Sequence, residues 1–373
     1  MKISNGKIIS ILIGFMLIAG VFMNSTQACT GIRLIAKDGA VVYGRTMEWG
    51  AFDLHSRIAV IPQGFSFTGI TPDGENGMKW KGLYGFVGID MLSQDAYADG
   101  VNEKGLAAGL FYHPGFASYP EYDASKADIT ISAKNVISFI LSQYSTIEEV
   151  RKGMNKVMVV PVVEEALGIP VAAHWMITSP EGESIVIEFT DGKMKIFDDP
   201  LGIITNAPTF DWHMTNLRNY VNLSAVALPD KKIDDIDFAP LGGGSGMIGL
   251  PGDFTPPSRF VRAVAWTQTA RHTANAYETV YEVFRILDNF NVPLGAAEGS
   301  DSQSKLEGMR SSTIWTSAWD LKDHILYYHT QNNRRVRAFD FKEIDFSNLG
   351  NDIIHIPLDK NRDQDIEYIT LKK

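Results

Sequence analysis

The chain has 373 residues, 45% of them hydrophobic and 21% charged, with a formal charge of −10 and a single cysteine. This balance describes a folded acidic protein and excludes both a disordered chain and the basic footprint of a nucleic-acid binder. One cysteine also excludes an internal disulfide, so stability has to come from the core.

Lys2 and Lys7 precede an apolar run from Ile8 to Met23, and Thr26-Gln27-Ala28 then offers small residues at the two positions a signal peptidase reads. The run is short against the roughly 20 apolar residues of a bilayer span, and a polar rather than a basic segment follows it. Residues 1–28 are therefore expected to be an export signal cleaved after Ala28. That gives a periplasmic or secreted protein with no stable membrane association, and makes Cys29 its first residue. Residues 29–373 show no repeat, low-complexity linker or change of composition, which predicts a single domain.

Thr30 to Ala36 and Val41 to Gly44, separated by Lys37-Asp38-Gly39, predict an opening hairpin. Further strands are expected over Phe86 to Ile89, Leu106 to Tyr112 and His174 to Thr178. Ser184 to Phe189 and Lys193 to Phe197 form a second hairpin turning on Asp191-Gly192. Helical spacing marks Ile131 to Gln143, and Ser145-Thr146 before Glu148-Glu149 reads as a capping box opening a helix near Arg151. Phe210 to Tyr220, Ser258 to Gln268 and Ala274 to Leu287 complete the helices. Thr313 to Trp319, Ile325 to Thr330 and Val336 to Phe339 are late strands. Hairpins at both ends with helix pairs between them predict an α+β fold with largely antiparallel sheets.

An exported cysteine without a partner, at the start of its chain, calls for a chemical reason. Thiolate is the reactive form, and an ordinary thiol with a pKa of about 8.5 is only a few per cent ionised at neutral pH. The α-amine released with Cys29 has a reference pKa of about 7.7 to 8.0 and becomes a base when burial or positive charge lowers it. Before cleavage that nitrogen is an amide and takes no proton, so export and activation would be one event. The pattern points to an N-terminal-nucleophile amidase. Arg45 closes the second predicted strand, and antiparallel pairing can return it to Cys29, where a cation favours both thiolate and neutral amine. Glu48 lies three residues on and can pair with Arg45 or orient the amine. The rival reading of the same cysteine is a lipid-anchored, non-enzymatic binding protein acylated on Cys29. It fits less well, because Thr26 stands where that signal wants a large aliphatic residue.

No metal or cofactor is expected. The eight histidines show no metalloprotease spacing, and His324 with His329 on one strand would face opposite sides. His213, on a predicted helix, reads as structural or surface. Gly244 to Gly249 fits the glycine pattern of a dinucleotide loop, but no clear strand precedes it and Leu250-Pro251-Gly252 follows where a helix should run.

Five blocks carry a family resemblance: Cys29 to Arg33, Gly44 to Trp49, Asp99 to Leu106, Thr205 to Pro208 with Trp212 to Leu217, and Leu250 to Phe260. In that order they resemble the choloylglycine hydrolase and penicillin V acylase family across most of the mature chain. The resemblance implies a four-layer αββα N-terminal-nucleophile hydrolase sandwich, hydrolysis of a linear carbon–nitrogen amide bond, and usually a homotetramer. It maps the nucleophile to Cys29, the neighbouring arginine to Arg45, the oxyanion-binding asparagine to Asn206 and the late active-site arginine to Arg259. The family's aspartate is Glu48 here, one methylene longer. Its second oxyanion donor, a backbone N–H, falls at Tyr112 by counting from Asn102. Bile salt hydrolases typically have asparagine at that position and penicillin V acylases tyrosine. The Leu250 block also looks closer to the acylases, so the chain is expected to stand nearer them, with an aromatic or other apolar acyl amide as substrate. Trp49, Phe52, Phe111 and Phe116, beside Tyr112, are expected to line the acyl pocket. The candidate substrates are a penicillin V-like amide, a conjugated bile salt or an N-acyl homoserine lactone.

Overall fold

The computed structural model describes residues 29–50, 53–298 and 310–371. The expected export signal, residues 1–28, and Phe52 lie outside the described residues. The sheets are built from β1 (Thr30–Ile35), β2 (Val41–Trp49), β3 (Arg57–Ile61), β4 (Phe86–Met91), β5 (Gln94–Asn102), β6 (Ala107–Tyr112), β7 (Ala173–Thr178), β8 (Ser184–Thr190), β9 (Lys193–Asp198), β10 (Ile203–Ile204), β11 (Arg310–Asp320), β12 (Ile325–Thr330), β13 (Arg337–Asp340) and β14 (Ile354–Pro357). The main helices are α1 (Val136–Gln143), α2 (Ile147–Met154), α3 (Phe210–Asn216), α4 (Pro256–Thr269) and α5 (Ala276–Leu287).

One antiparallel sheet runs β10-β1-β2-β11-β12-β13 and the other β9-β8-β7-β6-β5-β4-β3-β14. Side chains of the second sheet alternate between two cores, as the two-residue period of a strand requires. Val87, Phe111, Met176 and Val186 belong to a cluster shared with the first sheet and with Phe260 of α4 and Val283 and Leu287 of α5. Their neighbours Phe86, Leu110, Trp175 and Ile187 pack instead with Ile137, Ile140 and Leu141 of α1 and Val150 of α2. Helices thus cover the outer face of each sheet, in the order helix, sheet, sheet, helix. With both faces covered, a central strand has no solvent side to mark with polar residues, and β2 is buried at all nine of its positions. Arg45 and Glu48 are therefore buried charges from the outset, and each needs partners.

The opening hairpin is longer than its apolar pattern predicts. β2 continues through Arg45 and Glu48 to Trp49, in register Gly31 with Arg45 and Thr30 with Thr46. The capping box forms, with Glu149 N–H donating to Thr146 Oγ1 at 3.2 Å and Thr146 N–H to Glu149 Oε2 at 3.2 Å. The helix predicted from Ile131 starts only at Val136. Thr130–Ser132 is a strand paired in parallel with Met158–Val160, and Asn135 Oδ1 accepts from Ser132 N–H at 3.1 Å, closing a short turn before α1. The helix predicted over Phe210 to Tyr220 ends at Asn216 and continues as a tighter 3-10 turn over Leu217–Tyr220.

Candidate active site

Hairpin register brings the start of β1 beside Met47, and Cys29 Sγ lies 3.9 Å from Met47 Sδ, with Cys29 only 3% exposed. Gly31 lets the sheets close here, since a Cβ at that position would stand 2.5 Å from the Phe111 ring. Burial raises the Cys29 thiol above its ordinary pKa. Arg45 is the largest influence drawing it back down, the Glu48 charge adds to the rise, and the Glu48 backbone N–H and Arg259 lower it. The net direction favours the neutral thiol over the thiolate.

Arg45 reaches from the first sheet into the second. The β5–β6 ladder pairs Val101 with Ala107, Gly100 with Ala108 and Asp99 with Gly109. Beyond that last pair, Arg45 Nη1 donates to Ala98 O at 2.8 Å and to Leu110 O at 2.6 Å. The guanidinium thereby satisfies carbonyls that lose their strand partner. Phe111 lies 4.3 Å from it, ring face to cation. Because its hydrogen bonds go to carbonyls, its charge remains uncompensated by a directly bonded carboxylate and acts on the thiol.

Glu48 is placed by an irregularity. Met47 pairs with Trp315 but Glu48 pairs with Thr313, so Ile314 is the extra residue of a bulge in β11. Thr313 Oγ1 consequently donates to Glu48 Oε1 at 2.7 Å, and Thr46 Oγ1 to Oε2 at 3.1 Å. Burial pushes the carboxyl up to about 7, against the pull of these hydroxyls and of Arg259 and Arg45.

Pro256 and Pro257 open α4, as suits residues without an N–H at a helix start. Arg259 follows in the first turn, where the helix dipole does not favour a cation. Its hydrogen bonds offset that: Nε donates to Phe254 O at 2.9 Å, Nη1 to Cys29 O and to Thr30 Oγ1 at 3.0 Å, and Nη2 to Asn206 Oδ1 at 2.7 Å. Burial lowers its pKa to about 10, opposed chiefly by Glu48 and Cys29. Asn206 Nδ2 in turn donates to Tyr112 O at 2.7 Å. His113 N–H bonds to Ala172 O on the β7 side; alternation along the strand turns the Tyr112 N–H the other way, towards the gap where β5 and β6 part.

Cys29, Glu48 and Tyr112 line a pocket whose aliphatic wall is Leu54, Met91, Leu92, Leu110, Leu167 and Val171. Leu92 holds a left-handed backbone, φ 60°, unusual for a residue with a branched side chain. Lys134 and Glu164 form an ion pair of 2.7 Å on the same wall. Of the aromatics expected to line the pocket, Trp49 and Tyr112 do so. Phe111 faces the inter-sheet core against Arg45, and Phe116 stacks on His113 with ring centroids 5.7 Å apart. The aliphatic wall is assembled from the chain before β3 (Leu54), the end of β4 and its turn (Met91, Leu92), β6 (Leu110) and the chain around Leu167 and Val171, segments that no single periodic signal joins.

A profile of the linear amide C–N hydrolases, choloylglycine hydrolase family, matches residues 29–355. A bile salt hydrolase/transferase from Clostridium perfringens is 34% identical over 322 residues, which are 84% of this chain and 93% of that protein. A penicillin V acylase from Pectobacterium atrosepticum is 24% identical over 342 residues, covering 86% of this chain and 82% of its own. The crystal structure of a variant conjugated bile acid hydrolase from Clostridium perfringens matches with a TM-score of 0.78 at 31% identity, over 92% of this chain and 100% of that one. By identity the chain stands closer to the bile salt hydrolases. This corrects the expectation built on Tyr112 and the Leu250 block, which are a small part of the aligned length.

Proposed function

The chain belongs to the choloylglycine hydrolase family and hydrolyses linear carbon–nitrogen amide bonds, and from that premise we propose an exported N-acyl amidase whose nucleophile is Cys29, freed by cleavage after Ala28. The observation that carries the proposal is that Cys29 and Tyr112 line one apolar pocket and are tied together behind it through Arg259 and Asn206, with the Arg45 charge acting on the thiol. The α-amine of Cys29 takes the thiol proton, and the thiolate attacks the substrate carbonyl. Asn206 Nδ2 carries two hydrogens, and the one not given to Tyr112 O serves the oxyanion together with the Tyr112 N–H. The ammonium then protonates the leaving nitrogen, a thioester remains on Cys29, and water, activated by the same amine, releases the acid. Arg45 holds the thiolate and the unprotonated amine in favour, and Glu48 orients the amine.

Two observations support release of residues 1–28. The family match begins at Cys29 itself, and the preceding residues have the pattern of an export leader. The lipid-anchored alternative is disfavoured because Cys29 is only 3% exposed and opens on an internal pocket, so a diacylglyceryl group on Sγ would be drawn into the protein and not presented to a bilayer.

The aliphatic wall favours an acyl group of saturated carbon joined to a polar amine. Conjugated bile salts and N-acyl homoserine lactones fit that description better than the phenoxyacetyl group of penicillin V, and the relatives of higher identity carry the name bile salt hydrolase. Acid release from a panel of these three substrates tests the reading: the saturated acyl amides should be cleaved faster. Turnover of none of the three would overturn it. We also propose a homotetramer, because the projecting hairpin Lys231–Ile233 with Ile236–Phe238 exposes Ile233, Ile236 and Phe238, a solvent-facing apolar arm suited to a second copy. Light scattering on the mature protein gives the mass directly.

A further inference from the structure

The segment carrying Asn206 is held by four buried polar side chains that the catalytic cycle does not use. His174 Nε2 lies 3.1 Å from Thr205 O, His213 Nε2 3.0 Å from Asn206 O, and His113 Nε2 3.3 Å from Pro208 O. Phe210 N–H donates to Glu188 Oε1 at 3.0 Å, and the same oxygen lies 3.1 Å from His174 Nδ1. All four side chains are at most 2% exposed. We propose that His113, His174, His213 and Glu188 are positioning residues, a buried cradle that grips the backbone from Thr205 to Phe210 and so fixes the Asn206 amide at the oxyanion.

Carbonyls only accept, so each Nε2 must be the protonated nitrogen of its ring. The Nδ1 atoms of His113 and His213 have no hydrogen-bond partner, as suits an unprotonated nitrogen in a neutral imidazole. Burial lowers His113 and His174 to about 3 and His213 to about 4, and raises Glu188 to about 7. With Nε2 of His174 protonated, its Nδ1 is an acceptor, and Glu188 answers it with an O–H while accepting from Phe210. At pH below about 7, where Glu188 holds its proton, the cradle is thus a network of neutral groups with one proton for each donor position. His213 also stacks on Phe260 of α4, centroids 4.6 Å apart, which ties the loop to the helix that supplies Arg259.

A metal ion does not account for the cluster. Ligand atoms of His113, His174 and Glu188 lie within 4.8 Å of one another, but the two imidazoles stack at 4.2 Å with planes 2° apart. Imidazole lone pairs lie in the ring plane, and parallel planes cannot both aim at one ion.

The cradle's catalytic meaning rests on the amidase reading above. His213→Phe keeps the ring on Phe260 and removes the donor to Asn206 O. It should lower kcat about tenfold or more, with KM within about twofold, since the oxyanion forms only in the transition state. Alkylation of Cys29 by iodoacetamide should keep its wild-type rate, and His213→Gln, whose amide N–H reaches the same carbonyl, should recover most of the loss. Wild-type kcat in His213→Phe, an equal loss in His213→Gln, or stoichiometric zinc in native mass spectra would overturn the cradle. A readout independent of turnover is hydrogen exchange at the Phe210 amide, expected to be faster in Glu188→Leu than in wild type or Glu188→Gln. Should the wild type cleave no amide, the amidase reading fails and this exchange alone decides: unchanged protection in Glu188→Leu overturns the cradle.

Discussion

Arg259 Nη2 donates to Asn206 Oδ1 at 2.7 Å, which fixes the oxygen end of the Asn206 amide and leaves its nitrogen as the donor to Tyr112 O. An arginine in the first turn of one helix thereby sets the polarity of a loop more than fifty residues away in sequence. The same guanidinium holds the carbonyl of Cys29, so the proposed nucleophile and the proposed oxyanion donor share one anchor.

Arg259→Lys should therefore not be conservative. A single ammonium cannot bridge Cys29 O, Thr30 Oγ1 and Asn206 Oδ1 at once. We expect kcat to fall by roughly 10- to 100-fold, approaching the about 10²–10³-fold loss expected for Asn206→Ala, with little change in KM. Steady-state kinetics of the two variants check the order.

Arg45 makes a different prediction, because its charge and its hydrogen bonds separate. Arg45→Leu removes the largest influence that lowers the thiol pKa, so the pH profile of Cys29 alkylation should move upwards. Arg45→Lys keeps the charge but leaves a carbonyl of Ala98 or Leu110 without its donor. Its alkylation profile should move less, while stability falls by about 1–3 kcal/mol, as read from denaturant unfolding.

Glu48 links the site to stability. Its folded-state value of about 7 lies above the ordinary 4.5. Below the ordinary value both folded and unfolded chains hold the proton and nothing is lost. Between the two values the unfolded state ionises first, so wild type loses stability relative to Glu48→Gln as pH rises, on the order of 3 kcal/mol by pH 7. Thermal melts at pH 5 and pH 8 should show the gap widening in favour of Glu48→Gln; a constant gap would mean that the carboxyl is ionised throughout.

The hairpin of β1 and β2 and the capped helix α2 were legible because their signals are local. Within the site, Cys29 with Arg45 and Glu48 was legible from the leader and the opening hairpin, whereas Asn206 and Arg259 were legible only through the family blocks, since no spacing encodes the approach of their segments to Cys29. Phe111 shows why proximity misleads. It adjoins Tyr112, yet the two-residue period of β6 turns it to the opposite face, onto Arg45. The apolar spacing from Ile131 read as one helix because a parallel partner, Met158–Val160, is invisible locally. The histidine cradle was illegible for the same reason, its four members lying on separate elements.

The aliphatic wall predicts selectivity by size. Leu167→Trp, on irregular chain at the pocket wall, should reduce kcat/KM for a bulky acyl amide by about tenfold or more, a loss of roughly 1.4 kcal/mol or greater in transition-state binding. A short acyl amide should be cleaved at the wild-type rate. Equal losses for both would place the acyl group elsewhere.

The central claim is that mature Cys29 is the nucleophile, and intact-mass spectrometry of exported protein, acid-quenched during turnover of a conjugated bile salt, tests it most directly. The account predicts a chain beginning at Cys29, with a fraction heavier by one acyl group that maps to Cys29 and is absent from Cys29→Ala. An active protein that retains residues 1–28, or a Cys29 carrying a diacylglyceryl group, would contradict it.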